Sequence, residues 1–520
     1  MGSRRVGRAA ALAVSLAVSV VAGAACTSSA GHPTPTTAAG STSAATAAGS
    51  AGASDGTGPA IVDWSACKGS AGPRGYQCAT LQVPRDPRHP GQGGTIGLAL
   101  DRHPASGAAI GSLLIDPGGP GASGVDFLPQ AIGLLPASVK SRFDIIGFDP
   151  PGVDRSAPIH CLDTAGLRTY FESDPVPTTP GGLDRYNSVD RTFAQGCESR
   201  SGAELPYVST VDAAMDMDYI RAALGQARIS YFGFSYGTFL GATYAGLYPT
   251  HVRAMVLDGA VDPAQTPLAS AEQQAVGFDR NLAQALNACV AEKSCPWKPR
   301  GDPVAAFQRL MDQVRAHPLP VQGSSRTAGP AALLYGTAYT LYSTSGWPDL
   351  YQMLADASAG DGTLAVELSD TYDGLQSNGT YSNEFEAFAA VTCLDAPAPS
   401  PAQVQAAVAS FEAAAPVFGL AVLYSQLSCD VWPIPATGRP APIRAAGSPP
   451  IVVVGSTGDP ATPYSDAQAL ARELEHGVLL TRVGDGHTGY PYSKCIRSYV
   501  NAYLIDLAVP PAGISCPSDG

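Results

Sequence analysis

One serine stands between two glycines in Gly233-Phe234-Ser235-Tyr236-Gly237. The pattern G-x-S-x-G between a strand and a helix is the signature of a nucleophile elbow, a sharp turn that exposes the serine hydroxyl. The glycines lack side chains, so the strand and the helix can approach closely. The alternative is a glycine-rich turn without chemistry, but ISYF before the motif and TFLGATYAGLYP after it supply the required strand and helix. We therefore predict that Ser235 is the nucleophile of an acyl transfer.

A serine hydroxyl needs a base at neutral pH, and a histidine most often provides it. Of the 8 histidines, His487 has the most suitable setting, because it follows the last predicted strand in GDGHTG. The others lie in the N-terminal low-complexity segment, in turns, beside prolines or at the ends of strands and helices. The alternative for His487 is a loop histidine bonded to backbone groups. We predict that it is the base.

A carboxylate must orient the imidazole and stabilise its charged form. Asp459 ends the run IVVVGSTGD, and the order Ser235, Asp459, His487 is the chain order of triads built on a nucleophile elbow. Asp258 is the rival acid, because it also follows a predicted strand. Asp485 is too close to the histidine in sequence to approach its ring. The sequence favours Asp459.

The negative oxygen of a tetrahedral intermediate needs two backbone N–H donors. One donor is expected from Tyr236, directly after the nucleophile. The other is expected from the loop Pro117–Gly121, whose many glycines allow a close approach. Pro120 has no N–H, so the donor is Gly118 or Gly119.

The elements around these residues alternate between strands and helices. A hairpin of YQCATLQVP and GTIGLALDRH precedes four continuous apolar runs, IGSLLID, FDIIGF, ISYFGF and VRAMVLD. Such runs indicate strands buried on both faces of a parallel sheet. Mainly helical patterns fill residues 264–448, and the strand signal then returns. We predict an α/β fold, a doubly wound and mostly parallel sheet in two parts, 59–263 and 449–520, with a mainly helical cap inserted before the last core strands.

The N-terminal residues predict export. Residues 1–26 combine three arginines with a short apolar stretch that is too short for a permanent membrane span. The end of this stretch resembles the lipobox of bacterial lipoproteins, although Gly23 stands where a leucine-like residue is usual, and ordinary signal-peptidase cleavage is the alternative. Residues 27–58 are rich in Ser, Thr, Ala and Gly and predict a flexible tether. We expect an extracellular enzyme, lipid-anchored through Cys26 to the outer face of the cell membrane.

Cysteine usage agrees with an oxidising compartment. Without Cys26, ten of the 11 cysteines remain, an even number. No CxxC pair or Cys/His cluster indicates a metal site, and serine hydrolysis requires no cofactor. The spacing does not fix the connectivity, but the simplest arrangement joins neighbours: Cys67 with Cys78, Cys161 with Cys197, Cys289 with Cys295, Cys393 with Cys429, and Cys495 with Cys516.

Composition limits the possible partners. The formal net charge is −13, and no basic run occurs after the export signal, so nucleic acid is not an expected partner. Hydrophobic residues make up 45% of the chain, enough for a large folded core. The sequence does not determine the oligomeric state, for which a monomer is the default expectation.

Several motifs in order resemble one family. DPGGPGASG, FDIIGFDPPGVDRS, YFGFSYGTFLGATYAGLYPTHVRAMVLDGAVDP, AAVTCLD, CDVWP and GDPATP…GDGHTGY…C are similar to the secreted actinobacterial tripeptidyl-aminopeptidase-like serine proteases, relatives of the proline iminopeptidases. The resemblance extends from about Trp64 to Cys516. The chain departs from the family at Pro151 and Asp154, where arginine and glycine are usual, beside the expected rim of the site.

The resemblance implies an α/β-hydrolase fold and hydrolysis of peptides from a free N-terminus through an acyl-enzyme. It implies Ser235, Asp459 and His487 as the catalytic residues, a TAP-like C-terminal segment in 449–520, and a Cys495–Cys516 pair. We expect di- or tripeptides, or single residues, to be released.

An aminopeptidase also needs a carboxylate for the substrate's α-ammonium group. In this family such acids come from the cap, where NEFEAFAAVTCLD offers Glu384, Glu386 and Asp395. Each glutamate is equally compatible with a solvated helix surface. Two other functions remain open: an esterase or acyl hydrolase for a small acylated metabolite, and a binding lipoprotein on an inactive hydrolase framework. The complete Ser/Asp/His set argues against the second.

Overall fold

The computed structural model describes residues 61–67, 75–177 and 179–519. The predicted signal peptide, Cys26 and the predicted tether lie outside these residues. Within them, no helix combines the length and the apolar character that a membrane crossing requires.

One large sheet runs through the molecule, and a two-stranded pair, β8 and β9, lies apart from it. The strands of the described residues are β1 (Ser65–Ala66), β2 (Gln77–Pro84), β3 (Thr95–His103), β4 (Gly111–Asp116), β5 (Phe143–Phe148), β6 (Ile229–Phe234), β7 (Val252–Asp258), β8 (Leu319–Pro320), β9 (Thr327–Ala328), β10 (Ile451–Gly458), β11 (Gly477–Asp485) and β12 (Ser515–Pro517). The sheet has the order β1-β2-β3-β5-β4-β6-β7-β10-β11-β12.

Neighbouring strands are parallel from β5 through β12, whereas β2 and β3 form the predicted antiparallel hairpin. The central strands are continuous apolar runs because both faces of the sheet are covered, and every residue of β6 is buried. The carboxyl ends of parallel strands meet at one edge of a sheet, and this edge carries the predicted site. The structure has the α/β-hydrolase architecture that the sequence predicts.

Helices cover both faces of the sheet. One face packs against α5, α6 and α15, and the other against α1, α2 and α16. The helices of the described residues are α1 (Gly124–Leu134), α2 (Ala137–Lys140), α3 (Thr164–Phe171), α4 (Pro180–Ser201), α5 (Thr210–Ala223), α6 (Tyr236–Leu247), α7 (Pro267–Ala291), α8 (Pro303–Ala316), α9 (Pro330–Leu341), α10 (Trp347–Ser358), α11 (Thr363–Tyr372), α12 (Glu384–Asp395), α13 (Pro401–Ala414), α14 (Gly419–Ser425), α15 (Tyr464–Glu473) and α16 (Lys494–Asp506).

The helical layer over the site comes from two stretches of sequence. Helices α7 to α14 lie in the predicted cap, 264–448, and α7 to α11 supply most of one apolar cluster. Helices α3 and α4 precede that range, yet they pack against α12, and the ring of Phe193 lies 5.6 Å from that of Phe385. The amphipathic pattern of α4 gives no indication that its apolar face contacts a distant helix rather than the sheet. The domain boundaries stay a prediction.

Ten cysteines of the described residues form five disulfides, each between neighbours along the chain. They join Cys67 to Cys78, Cys161 to Cys197, Cys289 to Cys295, Cys393 to Cys429, and Cys495 to Cys516. Such a set fits an extracellular location. The cluster of Cys67, Cys78 and Asp101 has the spacing of metal ligands among the described residues, but its sulfurs are bonded to each other.

Candidate active site

Ser235 occupies a sharp turn between β6 and α6. Its backbone has φ 54° and ψ −127°, a region that non-glycine residues rarely adopt. A Cβ on Gly233 would lie 2.3 Å from the Gly237 carbonyl, and one on Gly237 would lie 2.6 Å from Oδ1 of Asp116. Only glycine fits at either position. The local geometry is that of a nucleophile elbow, with the serine partly exposed.

Asp459 and His487 meet across the ends of β10 and β11. Nδ1 of the buried imidazole lies 2.9 Å from each carboxylate oxygen of Asp459. The same carboxylate accepts the backbone N–H groups of Ala461, Thr462 and Thr488 at 2.9 to 3.0 Å. A carboxylate held in this way keeps the proton on Nδ1 and leaves Nε2 free to act as a base.

The Nε2 atom of His487 is buried and has no hydrogen-bond partner among the described residues. No hydrogen bond joins it to Ser235 in this structure. The ring of Tyr342 stands edge-on to the imidazole, with 5.5 Å between the ring centres. Hydrogen bonds between a base and its nucleophile are often long or poorly aligned before substrate binds.

The rival acid, Asp258, contacts the histidine loop differently. It is buried at the end of β7, and its carboxylate accepts the N–H groups of Gly489 and Tyr490, each at 2.7 Å. Burial raises its pKa to about 6, although these two hydrogen bonds oppose the rise. It has no hydrogen bond with the His487 ring. Asp258 therefore holds the loop, and Asp459 contacts the imidazole.

The glycine loop lies directly beside the elbow. A Cβ on Gly118 would lie 2.9 Å from Cβ of Ser235 and 3.0 Å from the backbone nitrogen of Tyr236. The Gly118 N–H donates to Oδ1 of Asp116 at 2.9 Å, so this candidate donor is already engaged. The Gly119 N–H has no hydrogen bond with any described residue. The geometry favours Gly119 and Tyr236 as the pair of donors.

Two of the three candidate acids for the substrate's amine form internal hydrogen bonds. The buried Glu386 accepts the N–H groups of Cys161 and Leu162 at 2.5 and 3.0 Å. Asp395 accepts the N–H and the hydroxyl of Thr210 at 2.9 and 2.5 Å. Burial raises the pKa of Asp395 to about 7. Both acids hold the cap and the core together.

Glu384 differs from these two acids. It is partly buried at the start of α12, and its carboxylate has no hydrogen bond or ion pair with the rest of the described chain. Burial alone raises its pKa to about 8. A Cβ on Gly121, in the glycine loop, would lie 2.4 Å from the Glu384 carbonyl. Burial and then neighbouring charges, including that of Glu384, raise the pKa of Tyr342, whose ring packs on His487.

Comparison with known proteins places this architecture in a family. A family model described as TAP-like protein matches residues 415–516. The serine protease Hip1 of Mycobacterium tuberculosis is 36% identical over 478 residues, which cover 88% of this chain and 91% of that protein. The chain belongs to the TAP-like family of α/β hydrolases. The resemblance predicted from the motifs is confirmed, and this TAP-like chain is a serine hydrolase.

Other relatives of the TAP-like chain have different names. Carboxylesterase B of Mycobacterium tuberculosis is 37% identical over 477 residues, 87% of this chain and 89% of that protein. Tripeptidyl aminopeptidase of Streptomyces coelicolor is 31% identical over 477 residues, 88% of this chain and 86% of that protein. The family membership therefore leaves the choice between peptide and ester substrates open.

Sequence reasoning missed two residues that support the site of this TAP-like hydrolase. The Tyr342 carbonyl accepts the N–H of His487 at 2.8 Å and so joins the cap to the histidine loop. The Thr210 hydroxyl lies 2.6 Å from that of Tyr236 and links it to Asp395. Neither residue belongs to a motif. The sequence on either side of each residue has only the pattern of an ordinary helix end.

Proposed function

We propose that this protein is a serine exopeptidase that cleaves peptides near a free N-terminus through an acyl-enzyme. Ser235 attacks the scissile carbonyl, and Nε2 of His487 takes the hydroxyl proton. Asp459 stabilises the imidazolium that forms. The N–H groups of Tyr236 and Gly119 stabilise the oxyanion. His487 then protonates the leaving amine, and water releases the acyl product by the reverse sequence.

The observation that carries the exopeptidase proposal is the unpaired carboxylate of Glu384. The backbone carbonyl of Glu384 lies against Gly121 of the glycine loop, and the charge of its carboxylate acts on Tyr342, the tyrosine whose ring packs on His487. An ammonium group would supply the missing partner and favour ionisation of a carboxyl whose pKa burial raises to about 8. A simple ester without an amine has no such requirement.

A matched pair of chromogenic peptides tests the proposal. The two differ only in acetylation of the N-terminus, and we expect the free peptide to have a kcat/KM about 100-fold higher, because the blocked one leaves the acid unpaired. Glu384→Gln removes most of this difference. Glu412→Gln, a change of an exposed acid on α13, retains it.

Equal turnover of the free and acetylated peptides would overturn the exopeptidase proposal. Efficient cleavage of small esters together with poor cleavage of every peptide would support an acyl hydrolase. The name of the relative carboxylesterase B, 37% identical, favours including esters in the panel.

We also propose that the enzyme is exported and tethered to the outer face of the cell membrane through Cys26. The five disulfides support export to an oxidising compartment. Metabolic labelling with an alkyne fatty acid tests the anchor: wild type incorporates the label, and Cys26→Ser does not and leaves the membrane fraction. A membrane-free wild-type protein would contradict the proposal.

A further inference from the structure

The loop that carries His487 has an unusual backbone. Gly486 has φ +101° and Thr488 has φ +70°, so the residues on both sides of the histidine lie in the left-handed region. The N–H groups that follow the histidine are held by carboxylates, since Asp459 accepts that of Thr488 and Asp258 that of Gly489. Strain of this kind persists only where surrounding groups hold the backbone in place.

The side chain of Arg482 binds three carbonyl groups of this loop, and the Ser456 hydroxyl also donates to one of them, that of Thr488, at 2.7 Å. Nη1 of Arg482 donates to the carbonyls of Gly486 and Thr488, both at 3.1 Å, and Nη2 donates to that of Asp485 at 2.7 Å. Arg482 lies in the second half of β11 and is only 3% exposed. The two carbonyls bound by Nη1 belong to the residues directly before and after His487.

The remaining contacts fix the guanidinium itself. Nε donates to the hydroxyl of Ser518 at 3.0 Å, and Nη1 also donates to that of Ser456 at 3.2 Å. The guanidinium carbon lies 4.8 Å from the centre of the Tyr492 ring, a cation–π distance. Arg482 forms no ion pair within the part of the chain that the structure describes, and burial lowers its pKa, although the nearby charges of Asp258, Asp459 and Asp485 oppose this effect. Because burial outweighs these charges and the hydrogen bonds go to neutral oxygens, keeping the cation here costs stability, which argues for a further role.

We propose that Arg482 is a positioning residue, whose planar fork fixes the backbone on both sides of His487 so that Nδ1 faces Asp459 and Nε2 faces the nucleophile. The proposal rests on the proposed catalytic role of His487. Lysine offers one point charge instead of a fork and cannot bind the three carbonyls in the same geometry.

The protein contains a matched control. Arg253, at the start of β7 and therefore at the opposite edge of the sheet, also donates to backbone carbonyls, those of Leu504 at 2.7 Å and Ile505 at 3.0 Å. It too lies over an aromatic ring, 5.5 Å from the centre of Phe143. Arg253→Lys measures what the loss of such a fork costs the fold alone.

The test uses Arg482→Lys, Arg253→Lys and Arg482→Ala, with a fluorophosphonate probe, a small ester, thermal unfolding and amide hydrogen exchange. We expect Arg482→Lys to lower kcat and the labelling rate about 100-fold, with KM unchanged, because the imidazole is misplaced. Exchange at the amides of 486–490 accelerates. Millimolar guanidinium partly restores the kcat of Arg482→Ala, and Arg253→Lys loses only thermal stability.

Three outcomes would overturn the proposal. The first is a wild-type kcat in Arg482→Lys. The second is a loss of activity in Arg482→Lys that the fraction of unfolded protein fully explains, as for Arg253→Lys. The third is a failure of the Arg482 variants to fold even with guanidinium. Failure of the proposed function is distinguishable from these. It appears as wild-type enzyme that the probe does not label at Ser235, and in that case the exchange at 486–490 still reports whether Arg482 orders the loop.

Discussion

Asp258 and Asp459 lie near the ends of the paired strands β7 and β10, but only Asp459 contacts the imidazole. Its two oxygens are both 2.9 Å from Nδ1 of His487, whereas those of Asp258 accept backbone N–H groups farther along the same loop. One loop is therefore held by two buried carboxylates with different tasks.

Asparagine substitutions separate these tasks. Asp459→Asn is expected to lower kcat about 10⁴-fold, because an amide can hold the ring in the wrong tautomer. Asp258→Asn leaves one acceptor for two N–H groups and is expected to destabilise the fold by about 1–3 kcal/mol, with a much smaller effect on kcat. Ester hydrolysis and thermal unfolding measure both effects. A loss in Asp258→Asn equal to that in Asp459→Asn, at unchanged stability, would assign the orienting role to Asp258.

A methyl group at Gly118 is expected to disturb the elbow. The added Cβ would lie 2.6 Å from the Phe234 carbonyl, and φ is +101°. Gly118→Ala therefore displaces the glycine loop relative to Ser235 and lowers kcat about 10²- to 10³-fold, as expected when an oxyanion donor is lost. Steady-state kinetics with the small ester measure this.

Gly133→Ala is the control for this substitution. A Cβ there meets no atom within 4 Å, and the residue lies in α1. Alanine in a helix is favoured over glycine by about 0.5–1 kcal/mol, so the control keeps its activity and gains slight stability. Full activity in Gly118→Ala would show that the glycine loop does not contribute to the oxyanion site.

Patterns along the chain were sufficient to predict the sheet, the elbow and the region of the site. Strand and helix periods are local, and a parallel sheet brings the ends of its strands to one edge. The hydrogen bonds between groups at that edge depend on side-chain contacts between segments that are distant in the sequence. Only the structure shows that the Gly118 N–H is bonded to Asp116, or that Glu386 is bonded to Cys161 while Glu384 is unpaired.

The unpaired acid has a measurable cost in stability. Burial raises the pKa of Glu384 to about 8, above the ordinary value near 4.5. Below the ordinary value both the folded and the unfolded chains hold the proton. As the pH rises, the unfolded chain ionises first, so the destabilisation grows until about pH 8 and is constant above it.

Glu384→Gln removes this titration. The variant is expected to be more stable than wild type at pH 9, and the difference is expected to disappear near pH 4. Thermal unfolding across this range measures it, with Glu412→Gln as the control for loss of an exposed charge. A pH-independent difference would mean that Glu384 titrates normally. Such a cost is typical of residues retained for function.

The Cys393–Cys429 disulfide is expected to hold in place the end of the cap for which we propose amine binding. It joins α12 to the turn after α14, and α12 begins with Glu384. The Cys393→Ser/Cys429→Ser variant is expected to lose about 2–4 kcal/mol of stability. At a temperature where it remains folded, fluorophosphonate labelling of Ser235 stays close to wild type, because Ser235, Asp459 and His487 all follow strands of the sheet. The preference for a free N-terminus falls, because α12 can shift from the glycine loop.

The control, Cys289→Ser/Cys295→Ser, opens a disulfide at the end of α7 and keeps the preference for a free N-terminus. If both double variants keep it, the disulfide contributes only to stability, and the position of Glu384 depends on packing alone.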